Sequence, residues 1–281
     1  MTRLSRILAL RSLRDSWLLM ASCCALLVGF VALRVWVSSK IKFDAFVKLF
    51  TEALKIFQSL LPVPIEDLAS PLGRAAFSYE ELPVILVLGL WTVSRGSDCI
   101  AGRLASGTME MLLAQPVRRA TLVTSHTAVT LLGVAALSAA SLGGLALGLA
   151  ISEYESAPRL AQLWPATANF FALGLFLAGL ATFASAVCRT RAQAVAAIIA
   201  FYVIELALMI VGRLAPEAKW LERLTILSAY EPTLLTLGLD RDPATHWPLF
   251  WQYNAWLVGL GLLLWLAAAV RFCRRDVPAP L

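Results

Sequence analysis

Ionisable side chains are scarce in this sequence. Only 15% of its 281 residues are Asp, Glu, Lys or Arg, whereas 59% are hydrophobic. A soluble domain carries about 25% charge and about 45–50% apolar residues. The shortage is concentrated in runs, and the stretch from Thr121 to Ile151 contains no charged residue at all. Uncharged apolar runs near or above ~18 residues read as membrane spans. The pattern excludes an ordinary soluble enzyme, a disordered chain and, despite a formal net charge of +6, a nucleic-acid-binding domain. It is the pattern of a polytopic membrane protein.

Histidine is nearly missing. The two present, His126 and His246, fall on opposite predicted sides of the membrane. A histidine metal site or a nucleophilic triad therefore has no parts. The methionines form no cluster suited to copper, and no Ser/His/Asp set of an intramembrane protease can be assembled. No catalytic residue and no metal ligand is expected. Cysteine is absent from the long polar loops: Cys23 and Cys24 lie in an apolar run, and Cys99, Cys188 and Cys273 lie beside basic clusters. That placement argues against a disulfide framework. A cleavable signal peptide is not expected either, because the first apolar run extends from Trp17 to Val37 without a suitable A-x-A pattern. Gly102 to Thr108 resembles a phosphate-binding loop, but the lysine of G-x-x-x-x-G-K-[ST] is missing and a membrane helix rather than a strand precedes it. This chain is expected to hold no ATP of its own.

What is present is an all-α membrane protein read as one transmembrane domain over residues 1–281. The expected spans are Trp17–Val37, Leu82–Cys99, Thr121–Ile151, Ala166–Val187, Ala192–Gly212 and Tyr253–Val270. Continuous runs of this kind are helices, because only helices and closed barrels satisfy the backbone in hydrocarbon. The shortest, of 18 residues, reaches about 27 Å at 1.5 Å per residue, enough for one crossing. One side collects Arg3, Arg6, Arg11, Arg14, Arg95, Arg103, Arg118, Arg119, Arg189, Arg191, Arg271, Arg274 and Arg275, against only Asp15, Asp98, Glu110 and Asp276. The other side is slightly acidic. By the positive-inside rule both termini are cytoplasmic. Trp36, Trp164, Trp247 and Trp251 near outer ends, with Trp17 near an inner end, form the interfacial aromatic belt. Ala136, Ala140, Gly144 and Gly148 recur every fourth residue in the third span, as do Gly174, Ala178, Thr182 and Ala186 in the fourth. Such stripes allow close helix approach.

The connections carry their own pattern. Residues 1–16 are basic and read as an interfacial helix on the inner leaflet. The long first outer loop, residues 38–81, contains a stretch at 43–61 whose polar residues fall within about a 120° arc. It is an amphipathic helix too polar to span, ended by Pro62 and Pro64. In the last outer loop, Leu224–Leu239 is too apolar for a solvated segment and too short for a span, which suggests two short helices dipping partway into the membrane. Glu205 is the one ionisable residue well inside a span. It lies at the same depth as Arg34, so the two are expected to pair, as a structural ion pair or as part of a translocation path.

The inner loop after the second span is the most informative. Gly107 breaks the long helix, Thr108 to Gln115 can form a helix of about 12 Å, and Pro116 stops it. Met109, Leu112 and Leu113 share one face, Glu110 projects elsewhere, and Arg118 and Arg119 follow. A short rigid amphipathic peg of this kind suits docking into a partner's groove.

Here the sequence resembles the ABC-2 family of transporter permeases. Gly107, Thr108, Glu110, Leu112, Leu113, Pro116 and Arg119 match the family's Gly-Thr, Glu, Leu-Leu, Pro and Arg pattern. The acidic residues that usually precede Gly-Thr are replaced by Arg103, Leu104, Ala105 and Ser106. The long first outer loop resembles the subgroup of sodium-extrusion and nitrous-oxide-reductase-maturation permeases. The resemblance implies a multi-pass protein of the bacterial cytoplasmic (inner) membrane, forming half of an ATP-driven export channel. Its partners would be two copies of a cytoplasmic ATP-binding subunit, a second permease subunit, identical or homologous, and membrane lipid. ATP and Mg would sit on the ATPase subunit, with no cofactor here. Gly107, Thr108, Glu110, Leu112, Leu113, Pro116, Arg118 and Arg119 would couple ATPase motion to the spans. An ABC-powered mechanical or assembly factor acting on a periplasmic partner is the alternative.

Single cysteines test this topology. Impermeant maleimide applied to intact cells should label probes at Ser59 and Ala244 and spare probes at Ser106 and Thr190; labelling at Ser106 would refute the six-span arrangement.

Overall fold

A computed structural model describes residues 3–41, 63–115, 118–222 and 224–274. Its long helices are α1 (Arg3–Lys40), α4 (Leu82–Ser97), α6 (Arg119–Ala150), α7 (Trp164–Val187), α8 (Arg191–Leu214) and α10 (Pro243–Arg274). Shorter ones are α2 (Ile65–Ala69), α3 (Pro71–Phe77), α5 (Thr108–Leu113) and α9 (Pro232–Arg241). Six helical stretches are long and apolar enough to cross a membrane, and among the described residues there is no strand. The expected amphipathic helix at 43–61 lies outside the described residues.

α7 is the centre of the bundle. Its sequence is apolar all round, the composition of a helix surrounded by protein, and α4, α6, α8 and α10 all pack on it. α1 lies along α6, where an added Cβ at Gly148 would sit 2.7 Å from the Val35 side chain. The small-residue stripe of α6 thus receives α1. The tightest crossing joins α7 and α10: a methyl group at Gly179 would overlap the Gly261 carbonyl, and one at Gly261 would lie 2.8 Å from the Leu175 oxygen. Van der Waals packing at such contacts replaces the hydrophobic drive that lipid cannot supply.

Three boundaries differ from the sequence expectation. From Arg3 the basic N-terminal segment is continuous with the first span, as α1 runs unbroken from Arg3 to Lys40. No proline interrupts it, and Ser12 of the basic segment accepts a hydrogen bond of 2.5 Å from Arg95 on α4, holding that segment against the bundle. The last long helix begins at Pro243, ten residues before Tyr253. The preceding Asp242 accepts from the Thr245 N–H at 3.5 Å and from its hydroxyl at 2.6 Å, an N-cap with proline at the first helical position, and this start is readable as Asp-Pro. The second span ends at Ser97, where the backbone widens into one π-helical turn, Asp98–Gly102.

Gly179→Ala should destabilise the protein by about 1–3 kcal/mol, because the carbonyl it meets belongs to backbone and cannot swing aside. Gly259→Ala, with nothing within 4 Å of the added carbon, should be neutral or gain up to ~1 kcal/mol of helix propensity. Thermal unfolding of both variants in detergent measures the contrast.

Candidate functional site: the coupling turn and its end of the bundle

Alternation of the six long helices gathers residues 3–16, 97–115, 118–121, 185–194 and 268–274 at one end, the basic end. There the chain leaves α4 through the π turn. A buried Ser185 on α7 stabilises that departure from helical bonding: its hydroxyl accepts from the Ile100 and Ala101 N–H groups at 3.1 and 2.8 Å and donates to the Ser97 carbonyl at 2.9 Å. Single π turns of this kind recur at functional positions. A Cβ at Gly102 would lie 2.6 Å from the Asp98 carboxylate, which would have to swing aside.

A short helical turn, Arg103–Ala105, follows, and then Gly107 adopts φ of +71°, in the left-handed region that glycine enters freely. This reversal sets α5 at an angle to the span before it. The hydroxyls of Ser106 and Thr108 lie 2.9 Å apart across the reversal, and Thr108 also donates to the Arg103 carbonyl. Met109 is fully buried against Cys99, Ile100, Leu122, Val123, Ala186, Ala268 and Phe272, with Leu112 and Leu113 packed beside it. The apolar face of α5 therefore rests on its own bundle, not outward as the peg reading expects. Met111 is 73% exposed instead, beside half-buried Glu110 and exposed Thr108. Arg118 precedes α6 in extended conformation. The Arg119 guanidinium lies 5.8 Å from the Phe272 ring and donates to the Phe272 carbonyl at 3.4 Å, tying the start of α6 to the end of α10. Pro116 lies outside the described residues.

At the opposite end the expected Glu205–Arg34 pair does not form. Glu205 is buried, and its Oε2 accepts from the Ile226 N–H at 2.6 Å and, more weakly, from Leu227 at 3.4 Å. It thereby caps the 3₁₀ turn Ile226–Ala229 that precedes α9. Arg34 pairs with Glu81 at the start of α4 and stacks over Phe77. Equal depth in two helices does not place them on facing sides: α1 packs on α6 and α4, whereas α8 packs on α7 and the turns after it.

Sequence reading missed a second polar cluster at this end. Arg213, at the close of α8, pairs with both Glu222 and Glu231, and Glu80 accepts from the Thr233 N–H at 3.1 Å. The Tyr230 hydroxyl donates to the Tyr79 carbonyl at 2.5 Å, fastening the loop onto the start of the second span. The available signal was the interruption of the apolar run Leu224–Leu239 by Tyr230-Glu231-Pro232. Between α4 and α8 an apolar groove of about 770 Å³ extends from Ser94 and Arg191, near the basic end, to Tyr202 and Leu227 beside this cluster. Among the described residues, no group of His, Cys, Asp and Glu is arranged to hold a metal ion.

The bundle thus defines a multi-pass helical membrane protein with a short helix bent back beneath its basic end. The family model described as ABC-2 family transporter protein matches residues 9–277, and the chain belongs to that family. It is a membrane component of a transport system whose members associate with an ATP-binding subunit. No curated protein matches the chain.

Glu231 gives this end a pH dependence. Burial raises its carboxyl from 4.5 to about 7; attraction by Arg213 opposes this, while Glu80 and Glu222 reinforce it. The folded protein thus holds a proton that the unfolded chain has already released, so stability is greatest below about pH 4.5 and declines as pH rises toward about 7. Glu231→Gln should flatten that part of the stability–pH curve, read by thermal unfolding from pH 4.5 to 8.

Proposed function

We propose that this chain is the permease subunit of an ABC exporter. It works as half of a membrane pathway beside a second permease, identical or homologous, and is driven by two copies of a cytoplasmic ATP-binding subunit that hold ATP and Mg. The basic end faces the cytoplasm of a bacterial inner membrane, by the charge asymmetry. The observation that carries the reading is α5 itself. It is a short helix set off by Gly107, anchored through Met109 to the ends of four other segments, and presenting Met111 to its surroundings. A push on Met111 reaches α6, α7 and α10 through Met109, and reaches α4 through the π turn. That is how a rigid element with two positions transmits motion.

Gly107, Thr108, Glu110, Leu112, Leu113, Pro116, Arg118 and Arg119 are then the coupling residues, with Arg119 tying the start of α6 to α10. Glu205 and Arg34 are structural, each holding a turn or helix start at the opposite end. The groove between α4 and α8 favours carriage of an apolar or amphiphilic substrate over purely mechanical action on a periplasmic partner, because it connects the two polar ends along an apolar wall. The long first outer loop agrees with the subgroup of sodium-extrusion and nitrous-oxide-reductase-maturation permeases.

Wild-type protein should co-purify with its ATP-binding subunit. Met111→Asp and Glu110→Lys alter the outward side of α5 and leave Met109 in place. Each should weaken that association about tenfold, or ~1.4 kcal/mol, without changing thermal unfolding. Recovery of the complex from detergent and its ATPase rate measure this. A wild type that never recruits an ATPase, or variants that bind like it, would sink the proposal.

A further inference from the structure

The groove between α4 and α8 has a length and a width that restrict what can lie in it. Its lining runs on α8 from Arg191 to Tyr202 and on α4 from Ile85 to Ser94, about 14–16 Å of helix. That is half of the ~30 Å hydrocarbon core, the depth of one leaflet. Buried Phe176, Leu177 and Leu180 of α7 form the floor, whereas Leu86, Leu90 and Ile199 at the sides are exposed. The groove is therefore open to whatever surrounds the bundle. Its volume of about 770 Å³ over that length gives a mean cross-section of about 50 Å². A helix with its side chains is about 10–12 Å across and needs roughly 80 Å² or more. An extended hydrocarbon chain fits where a whole helix does not.

The two ends of the groove differ in charge. At the basic end Arg191 lies in the lining, where its Nη2 and Nε donate to the Ser94 and Ser97 hydroxyls at 3.2 and 3.4 Å. Both partners are neutral, and among the described residues no ion pair engages Arg191 or its exposed neighbour Arg189. Ser94 accepts from Arg191 and keeps its own hydroxyl proton for an anion. No acidic residue lines the groove; Asp98, just beyond Ser97, lines a separate cavity that also contains Arg103. At the far end the groove meets a smaller cavity through Ile85, Tyr202 and Leu227, and there Glu80 and Glu231 stand against Arg213. An anionic group is thus attracted to the Arg191 end and disfavoured at the other.

We propose that this groove binds a phospholipid of net negative charge from the leaflet at the basic end, with an acyl chain between α4 and α8 and the phosphate at Arg191 and Arg189. The chain lies on the α7 floor and ends near Tyr202, so that one leaflet's depth of hydrocarbon is matched by one groove length. A zwitterionic lipid would bring its cationic group beside two arginines with no carboxylate in the lining to receive it, which selects headgroups of net negative charge. As a binding site this stands on the groove alone. As the substrate of the proposed exporter it names the class, an anionic amphiphile loaded from the inner leaflet, and in that sense it rests on the exporter reading.

The test uses the full chain, delipidated in detergent, with no ATP-binding subunit present. It is titrated in mixed micelles with phosphatidylglycerol or phosphatidylcholine of the same acyl chains, and read by native mass spectrometry and thermal unfolding. Phosphatidylglycerol should bind about tenfold tighter or more and raise the unfolding temperature. Arg191→Gln and Arg189→Gln should each lower its affinity about fivefold and leave phosphatidylcholine unchanged. Gly89 lines the groove with nothing within 4 Å of an added Cβ, so Gly89→Trp should fill the groove and remove the tight binding while the fold is kept. Glycerophosphoglycerol, the same headgroup without chains, should not compete. Equal affinity for the two lipids, undiminished binding to Gly89→Trp, or competition by the soluble headgroup overturns the proposal. So does a change of Gly89→Trp from dimer to monomer with the lipid preference intact, which would give the groove to a second copy. A phosphatidylglycerol preference in a chain that recruits no ATPase keeps the site and removes the exporter reading; recruitment without the preference does the reverse.

Discussion

Inside hydrocarbon a backbone N–H or carbonyl has only protein to bond to, and each such group left alone costs several kcal/mol. That constraint makes the six spans helical, and it also governs every place where they stop being so. Where the π turn opens after α4, the Ser185 hydroxyl on a neighbouring span bonds two N–H groups and one carbonyl. Where the chain between α8 and α10 turns through Ile226–Ala229, Glu205 receives the first N–H and Asn169 donates to the Ala229 carbonyl at 3.1 Å. Each irregular segment is held by a polar side chain projecting from a regular one. Other buried hydroxyls, among them Thr92, Thr130, Ser138, Ser141 and Thr182, instead donate to a carbonyl one turn back in their own helix.

Those breaks also set the shape of both ends of the bundle. The π turn and the left-handed Gly107 aim α5 beneath the bundle; a continuous helix would have carried Met111 along the axis of α4. The Glu205-capped turn and the Arg213 carboxylate cluster close the opposite end of the groove between α4 and α8. Packing explains why a groove exists there. α7 is enclosed by neighbours and meets α10 at paired glycines, whereas α8 buries only Ala194, Ile198, Glu205 and Gly212 and leaves Ile199, Val203 and Ile204 outside. A helix attached along so narrow a strip leaves an apolar cleft beside it and a face open to lipid or to a second subunit.

Part of the turn around Gly107 was legible from residue types alone. Gly107 reads as a break because glycine tolerates positive φ, and Thr108 to Gln115 reads as a short helix because its apolar residues recur at helical spacing; the structure forms Thr108–Leu113. Which face of that helix turns inward was not legible. An amphipathic pattern reports that one face seeks apolar company, and that company may belong to the same chain or to another; here it is Leu122, Ala186 and Phe272. The Glu205–Arg34 expectation failed for a related reason. Depth along a span follows from counting residues, but rotation about the bundle depends on contacts between segments far apart in sequence.

Sequence by itself determined that this chain is a bundle of six apolar helices with one basic end, because the free energy of transferring residues into lipid is local and additive along each run. It also determined the family, through a motif whose residues are contiguous. Only the tertiary structure decided what the polar residues bond to: Ser185 to a π turn, Glu205 to a 3₁₀ turn, and Arg213 to two carboxylates. Hydrogen bonds and ion pairs act over about 3 to 4 Å between particular atoms, so their partners are set by packing, which no linear spacing encodes.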